Sequence, residues 1–124
     1  MRIVIPANDE GLDAPVSSIF GRAPVFVFVD TDTLDVETLP NPAISAPGGA
    51  GIQAAQSVVE HGPDAVVCPR MGPNAFRVIQ MAGIPAYVLA GTTVREAVEA
   101  FKAGSLSQLS GPGRSHVASR GSRF

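Results

Sequence analysis

Cysteine is nearly absent from this chain, since among 124 residues only Cys68 carries a thiol. An intramolecular disulfide is therefore excluded. A metal or iron–sulfur site built from cysteines alone within one monomer is excluded as well, because such sites use about four thiolates.

Long apolar runs are also absent, and aromatic residues are few. No stretch approaches the roughly 18 apolar residues of a membrane span, and Arg2 followed by a short apolar run does not have the layout of a signal peptide. Hydrophobic residues make up 45% of the chain and aromatic residues 6%. We therefore expect a compact, cytoplasmic domain that contacts no membrane.

Acidic residues are missing from the C-terminal part. Residues 1–99 hold all eleven acids and five arginines, a net charge of −6, whereas residues 100–124 hold four basic residues and no acid. The last residues are rich in Ser, Gly and Arg and show no apolar period. This pattern predicts a folded domain over 1–109 and a disordered basic tail over 110–124.

Strand and helix patterns alternate along the chain. Apolar runs predict strands at 2–5, which Pro6 would end, and at 25–30, 34–39, 65–68 and 85–89. Helical spacing predicts helices over about 50–61, from Pro73 to just before Gly83, and over 94–103. The first would bury Ile52, Ala55 and Val59 on one face, with Val58 beside them. The third would begin with a capping box of Thr93 and Glu96.

This order indicates an α/β fold in which parallel strands end at one edge of the sheet. Loops 6–20, 69–72 and 90–92 should meet at that edge, which is the usual ligand site of open α/β sheets. Whether the glycine-rich loop 47–51 joins them depends on the direction of strand 34–39, which the sequence leaves open.

The glycine-rich loop leads directly into the first predicted helix. The first N–H groups of a helix lack partners inside it and carry partial positive charge, so a glycine loop there suits an anion. Glycine equally allows close packing of the helix on a neighbour, and that is the more frequent role. The residues Pro47–Gln56 match neither a Walker loop nor Gly-x-Gly-x-x-Gly.

Four short motifs carry a resemblance to a known family. In order, they are Phe20–Pro24 (FGRAP), Gly48–Gln56 (GGAGIQAAQ), Gly72–Phe76 (GPNAF) and Thr93–Ala97 (TVREA). Together they resemble the dinitrogenase iron–molybdenum cofactor biosynthesis domain family over residues 1 to about 107. The resemblance implies a ribonuclease-H-like mixed sheet of about five strands with three helices.

The resemblance also implies a role in carrying or inserting an iron–sulfur or iron–molybdenum cluster. The partners would then be proteins that donate or accept metal clusters, and the chain would be a monomer or a weak homo-oligomer. No catalytic residue carries over, so we expect a module that is not an enzyme.

Cys68 is the candidate metal ligand, because a thiolate binds iron well and this residue ends a strand at the predicted ligand edge. A lone cysteine in an apolar strand is more often a small core residue. Further ligands would come from cluster sulfides, a second subunit, or His61, Met71 and Met81. His61 lies in the last turn of its predicted helix, where a histidine more often complements the helix dipole, and His116 lies in the tail.

The candidate cradle for an anion combines arginines with residues of the glycine-rich loops. Its predicted members are Arg22, Gly48, Gly49, Gly51, Arg70, Gly72 and Asn74. Arg70 is the best placed of the arginines, directly after Cys68, although a solvent-exposed arginine without a ligand explains it equally well. Asn74 at a helix start could bind the ligand or cap the helix.

Two other function classes are weighed against a cluster carrier. An interaction or regulatory module could use the basic tail, but three arginines without aromatic residues are a thin footprint for nucleic acid. An enzyme acting on a phosphorylated metabolite lacks any nucleophile or base that the sequence identifies. Nuclease chemistry is rejected, because the strands lack the set of carboxylates that holds two metal ions.

Overall fold

The computed structural model describes residues 1–44, 48, 50–89, 92–111 and 114–115, and of the four described residues beyond Leu109 it describes the backbone. The strands are β1 (Arg2–Ala7), β2 (Val25–Asp30), β3 (Val36–Pro40), β4 (Ala65–Cys68), β5 (Ala86–Val88), β6 (Ser107–Gly111) and β7 (Arg114–Ser115). The helices are α1 (Ala50–Glu60), α2 (Pro73–Met81) and α3 (Val94–Lys102), with a 3-10 turn at Phe20–Arg22.

All strands join one mixed sheet in the order β3-β2-β1-β4-β5-β6-β7. β1 pairs antiparallel with β2 and parallel with β4, β4 pairs parallel with β5, and β5 pairs antiparallel with β6. The predicted α/β class and the three helices are confirmed, and β2 and β3 pair as an antiparallel hairpin. The ribonuclease-H-like designation stays a prediction.

The sheet is longer than the sequence predicted, because β6 and β7 follow α3. Their residues are rich in Ser and Gly and show no apolar alternation, so the pairing partner β5, rather than local pattern, decides their conformation. β6 extends past the predicted domain boundary at 109. The predicted disorder of 116–124 concerns residues outside those that the structure describes.

Helices cover both faces of the sheet and bury two apolar clusters. One cluster includes Phe20, Phe26, Phe28, Met71 and Ile79 together with buried residues of α1 and α2. The other joins β1 and β2 to α3 on the opposite face. Burial on both faces explains why β4 is apolar at every position.

Two local predictions were wrong. Pro6 does not end the first strand, which continues to Ala7. The Pro6 carbonyl accepts a hydrogen bond from the Ser17 N–H at 2.8 Å, and β4 pairs with β1 no further than Val4. The sheet therefore needs no backbone N–H donor at position 6, and a proline is tolerated in the strand. In α1 Ile52, predicted to be buried, is 36% exposed, whereas the predicted Ala55 and Val58 are buried and Val59 is partly buried.

The direction of β3 answers the point that the sequence left open. β3 runs antiparallel to β2 and therefore parallel to β1. The chain consequently leaves β3 at the edge where β1, β4 and β5 end, and α1 begins there. No helix in the part of the chain that the structure describes has the length and apolar content needed to span a bilayer.

Candidate functional site

A cleft of about 280 Å³ lies at the edge of the sheet where the parallel strands end. The 3-10 turn, the start of α1 and the start of α2 form its three walls. Its lining residues are Ile19, Gly21, Arg22, Ala50, Gly51, Gly72, Pro73, Asn74 and Ala75. None of these described residues is acidic, and Arg22 brings a positive charge.

Two helix N-termini therefore meet at the cleft. α1 begins at Ala50 and α2 at Pro73, and neither helix has an acidic residue in its first turn. The N-cap residue of α2 is Gly72, so no N-cap side chain occupies the hydrogen-bond donors at the start of this helix. Because first-turn N–H groups have no partner inside a helix, the cleft presents donors and partial positive charge.

Close glycine contacts bring the walls together. A Cβ atom built on Gly21 would lie 3.1 Å from the Gly51 Cα, and one built on Gly51 would lie 3.6 Å from the Ala75 Cβ. A side chain at 21 would therefore crowd the backbone of α1, and glycine gives the 3-10 turn room for this approach. At Gly51 a Cβ atom would make only an ordinary van der Waals contact with α2, so the packing of the two helices does not require a glycine there.

Gly72 is different, since no described residue lies close enough to require a glycine there. Its backbone is extended, with φ −72° and ψ 170°, and a Cβ atom there would meet nothing within 4 Å. A side chain at Gly72 would occupy space at the cleft. The missing side chain leaves the start of α2 accessible to a ligand.

The 3-10 turn is tied to the loop after β4 through the backbone. The Phe20 N–H donates a hydrogen bond to the Arg70 carbonyl at 3.1 Å. The Arg70 side chain is exposed but does not line the cleft. Loop 6–20 also contacts the start of α3, where the Val16 N–H donates to the Thr92 carbonyl at 2.8 Å.

The structure thus brings together Arg22, Gly51, Gly72 and Asn74 from the predicted cradle. Gly48 is exposed and is not among the lining residues, and Gly49 lies outside the described residues. The lining residues that our choice of cradle missed are Ile19, Gly21, Ala50, Pro73 and Ala75. All of them except Ile19 belong to the quoted motifs, so membership of a motif could have identified them as lining residues. No feature of the sequence identifies Ile19.

Cys68 lies in the apolar core rather than at the cleft. It is 2% exposed and packs in the cluster that contains Phe20 and Met71. Burial raises the pKa of the Cys68 thiol to about 12, and a backbone hydrogen bond from Arg70 offsets that rise only in part. Since the thiolate is the metal ligand, this environment disfavours ligation, which stays a prediction.

His61 follows α1 at the opposite edge of the sheet. Its Nδ1 lies 2.8 Å from the Ser57 carbonyl oxygen, and its own carbonyl accepts a hydrogen bond from Arg2 at 2.8 Å. Among the described residues, no group of three or more His, Cys, Asp and Glu side chains could hold a metal ion. A ligand of the cleft would therefore be held by N–H groups and arginine.

The start of α3, on the other face of the sheet, is already closed. The Val94 N–H donates to the Ala14 carbonyl at 2.9 Å and the Arg95 N–H to the Leu12 carbonyl at 2.7 Å. Thr93 and Glu96 form the predicted capping box. The N-termini of α1 and α2 therefore differ from that of α3 in facing a cleft.

A second cavity, of about 440 Å³, lies near the far end of α2. It is lined by Phe76, Gln80, Gly83, Ile84, Pro85, Ala86, Gln108 and Leu109. It is larger than the cleft, but none of these residues is charged. The smaller cleft remains the better candidate, because it combines a cation with two helix N-termini.

Known proteins resemble this chain over most of its length. The model of the family described as dinitrogenase iron-molybdenum cofactor matches residues 1–104. The apo form of the orange protein from Desulfovibrio gigas is 39% identical, with a TM-score of 0.87 over 91% of this chain and 96% of that one.

Two further relatives extend the comparison. A candidate NifB protein of the DUF35 family from Thermotoga is 35% identical, with a TM-score of 0.79 over 91% of this chain and 97% of that one. An uncharacterised protein from Methanocaldococcus jannaschii is 27% identical over 112 residues, which is 88% of this chain and 92% of the relative.

Proposed function

The chain belongs to the dinitrogenase iron–molybdenum cofactor family, and on that premise we propose that it is a non-enzymatic carrier of an anionic metal–sulfur cluster. The cargo would be an iron–sulfur or iron–molybdenum cluster bound in the cleft between the 3-10 turn, α1 and α2. The observation that carries this proposal is the meeting of two helix N-termini and Arg22 in a cleft lined by no acidic residue.

The chemistry of the cleft suits a large anion. Backbone N–H groups at helix starts bind anions, and a guanidinium adds charge-assisted hydrogen bonds. Gly51 and Gly72 place no side chain between such an anion and the backbone. Such contacts are reversible, because no covalent bond to the protein has to break when the cargo leaves.

The cluster would enter already assembled. Its metal atoms would keep the sulfides and other ligands with which it was built, so a thiolate from Cys68 is not required. This agrees with a thiol that is 2% exposed. Proteins that donate or accept metal clusters would be the partners, as the family name and the apo form of one relative support.

The first test uses a synthetic tetranuclear iron–sulfur cluster that carries its own thiolate ligands and is an anion. Binding under anaerobic conditions is followed by visible absorption after gel filtration and by iron analysis. We expect micromolar binding by the wild-type protein. Arg22→Ala should weaken it about tenfold or more, as expected for the loss of a charge-assisted hydrogen bond.

Arg77→Ala is the matched control, because Arg77 is exposed on α2 but does not line the cleft. It removes the same charge and should leave the affinity nearly unchanged. Absence of binding by the wild-type protein, or equal losses in the two arginine variants, would refute the cleft as the cluster site.

A parallel reconstitution with iron and sulfide tests the predicted ligand Cys68. In the binding assay with the preassembled cluster, we expect Cys68→Ser to bind as the wild-type protein does. A stoichiometric chromophore that forms on the wild-type protein and disappears in Cys68→Ser would instead establish ligation by the thiol.

A further inference from the structure

A buried amide lies behind the wall of the cleft that carries Arg22. Asn41 follows β3, is 2% exposed and does not line the cleft. Its Nδ2 donates hydrogen bonds to the Gly21 carbonyl at 3.2 Å and to the Ala23 carbonyl at 2.9 Å. Arg22 lies between these two residues, so the amide holds the 3-10 turn on both sides of the arginine.

The same side chain also holds the chain that leads toward α1. Its Oδ1 accepts a hydrogen bond from the Ala43 N–H at 2.9 Å. Ala43 is fully buried in the apolar cluster that contains Ala50 and Ala54 of α1. A single amide group therefore connects the wall formed by the 3-10 turn with the segment that precedes the wall formed by α1.

We infer that Asn41 is a positioning residue, which sets the place of Arg22 relative to the start of α1 and thereby the affinity of the cleft for its anion. The inference rests on the proposed function. An amide fits this role because it offers two donors and an acceptor without charge. A carboxylate would keep the acceptor for Ala43 and lose the donors to the 3-10 turn.

A double-mutant cycle with the synthetic cluster tests this role. We expect Asn41→Asp to weaken binding about tenfold in protein that circular dichroism shows to be folded. If Asn41 acts through Arg22, then the double variant with Arg22→Ala should bind no more weakly than Arg22→Ala alone. Losses that multiply in the double variant would mean a general structural role and would overturn the inference.

Two more variants protect the test from a folding defect. Asn41→Ser keeps a hydroxyl donor without burying a charge, and it should show a smaller loss with the same non-additivity. Thr31→Val is the matched control, because Thr31 is also a buried polar residue, 5% exposed. It follows the C-terminal end of β2, whereas the 3-10 turn precedes the N-terminal end of that strand. This variant should leave the affinity unchanged.

Amide resonances of the ligand-free protein separate this inference from the proposed function. In Asn41→Ser we expect shifts of the Arg22 and Gly51 resonances, which lie on the two connected walls. Shifts confined to residues 40–43 would overturn the inference. Failure of the wild-type protein to bind the cluster would overturn the proposed function, while these resonances would still decide whether Asn41 connects the walls.

Discussion

Single residues of one type have different roles around the cleft. Gly21 lets the 3-10 turn approach the backbone of α1 closely, because a Cβ atom there would lie only 3.1 Å from the Gly51 Cα, whereas a Cβ atom on Gly51 would make an ordinary contact with Ala75 at 3.6 Å. Gly48 and Gly72 have open space where a Cβ atom would stand. The four glycines look alike in the sequence, and only their neighbours in space distinguish them.

Replacing Gly21 by alanine should destabilise the protein. The new methyl group would lie 3.1 Å from the Gly51 Cα, which is backbone and has little freedom to move. We expect a loss of about 1–3 kcal/mol in the free energy of unfolding, measured with urea. Gly48→Ala is the control and should change stability by less than about 0.5 kcal/mol, so equal effects would contradict the contact.

The buried thiol of Cys68 should make stability depend on pH in the alkaline range. Its pKa is raised from 9.0 to about 12, so from about pH 9 upward the thiol ionises in the unfolded chain and stays neutral in the folded one. The unfolded state then binds fewer protons, and stability should fall with rising pH by about 1.4 kcal/mol per unit.

Cys68→Ala isolates this contribution from those of other alkaline groups. The stability difference between wild type and Cys68→Ala, from urea unfolding at several pH values, should shrink between about pH 9 and 12. A constant difference over that range would show that the thiol is less buried than described.

At the scale of elements, α2 and α3 start at the same edge of the sheet but on opposite faces. The start of α3 is closed by its capping box and by the backbone of loop 6–20. The start of α2 has a glycine N-cap without a side-chain hydrogen bond. An anion would therefore compete with a new carboxylate at α2 and not at α3.

Gly72→Asp should retain stability and lose binding. An aspartate at an N-cap accepts hydrogen bonds from the first turn and favours the helix dipole, so stability should be unchanged or rise by a few tenths of a kcal/mol. The same carboxylate would repel an anionic cluster, and we expect at least a tenfold loss of affinity in the absorption assay.

Thr93→Asp adds the same charge at the start of α3 and preserves an N-cap side chain. Affinity for the cluster should stay close to that of the wild type. A comparable loss in both variants would point to the overall charge of the protein, and unchanged binding by Gly72→Asp would count against the start of α2 as part of the site.

At the scale of the whole molecule, the negatively charged residues lie outside the lining of the cleft. Residues 1–99 carry a net charge of −6, yet no described residue that lines the cleft is acidic. The basic residues after 100 offer the competing explanation of function, an interaction module that uses the tail.

Truncation after Ser115 tests whether the tail takes part in holding the cluster. Removal of residues 116–124 spares β6 and β7 and deletes Arg120 and Arg123. We expect the cluster affinity to change by less than about twofold at 0.15 M salt, because the proposed contacts come from Arg22 and the starts of two helices and salt screens solvent-exposed charges. A large loss of binding in the truncated chain would assign the tail a direct part in holding the ligand.

Much of the fold and part of the site could be predicted from the sequence. Helix starts at Pro73 and Thr93 have strong local signals, and Arg22, Gly51, Gly72 and Asn74 indeed line one cleft. The missed elements β6 and β7 have no such signal, because strands rich in Ser and Gly form only where a partner strand offers hydrogen bonds.

The sequence by itself determined the α/β order, the three helices and the single thiol, because apolar period, capping residues and composition are local properties. Tertiary structure alone decided that β3 runs parallel to β1, which brings the start of α1 beside that of α2. It also decided that Gly21 packs on Gly51 and that Cys68 is buried. These outcomes depend on contacts between residues far apart in the chain, which no local pattern encodes.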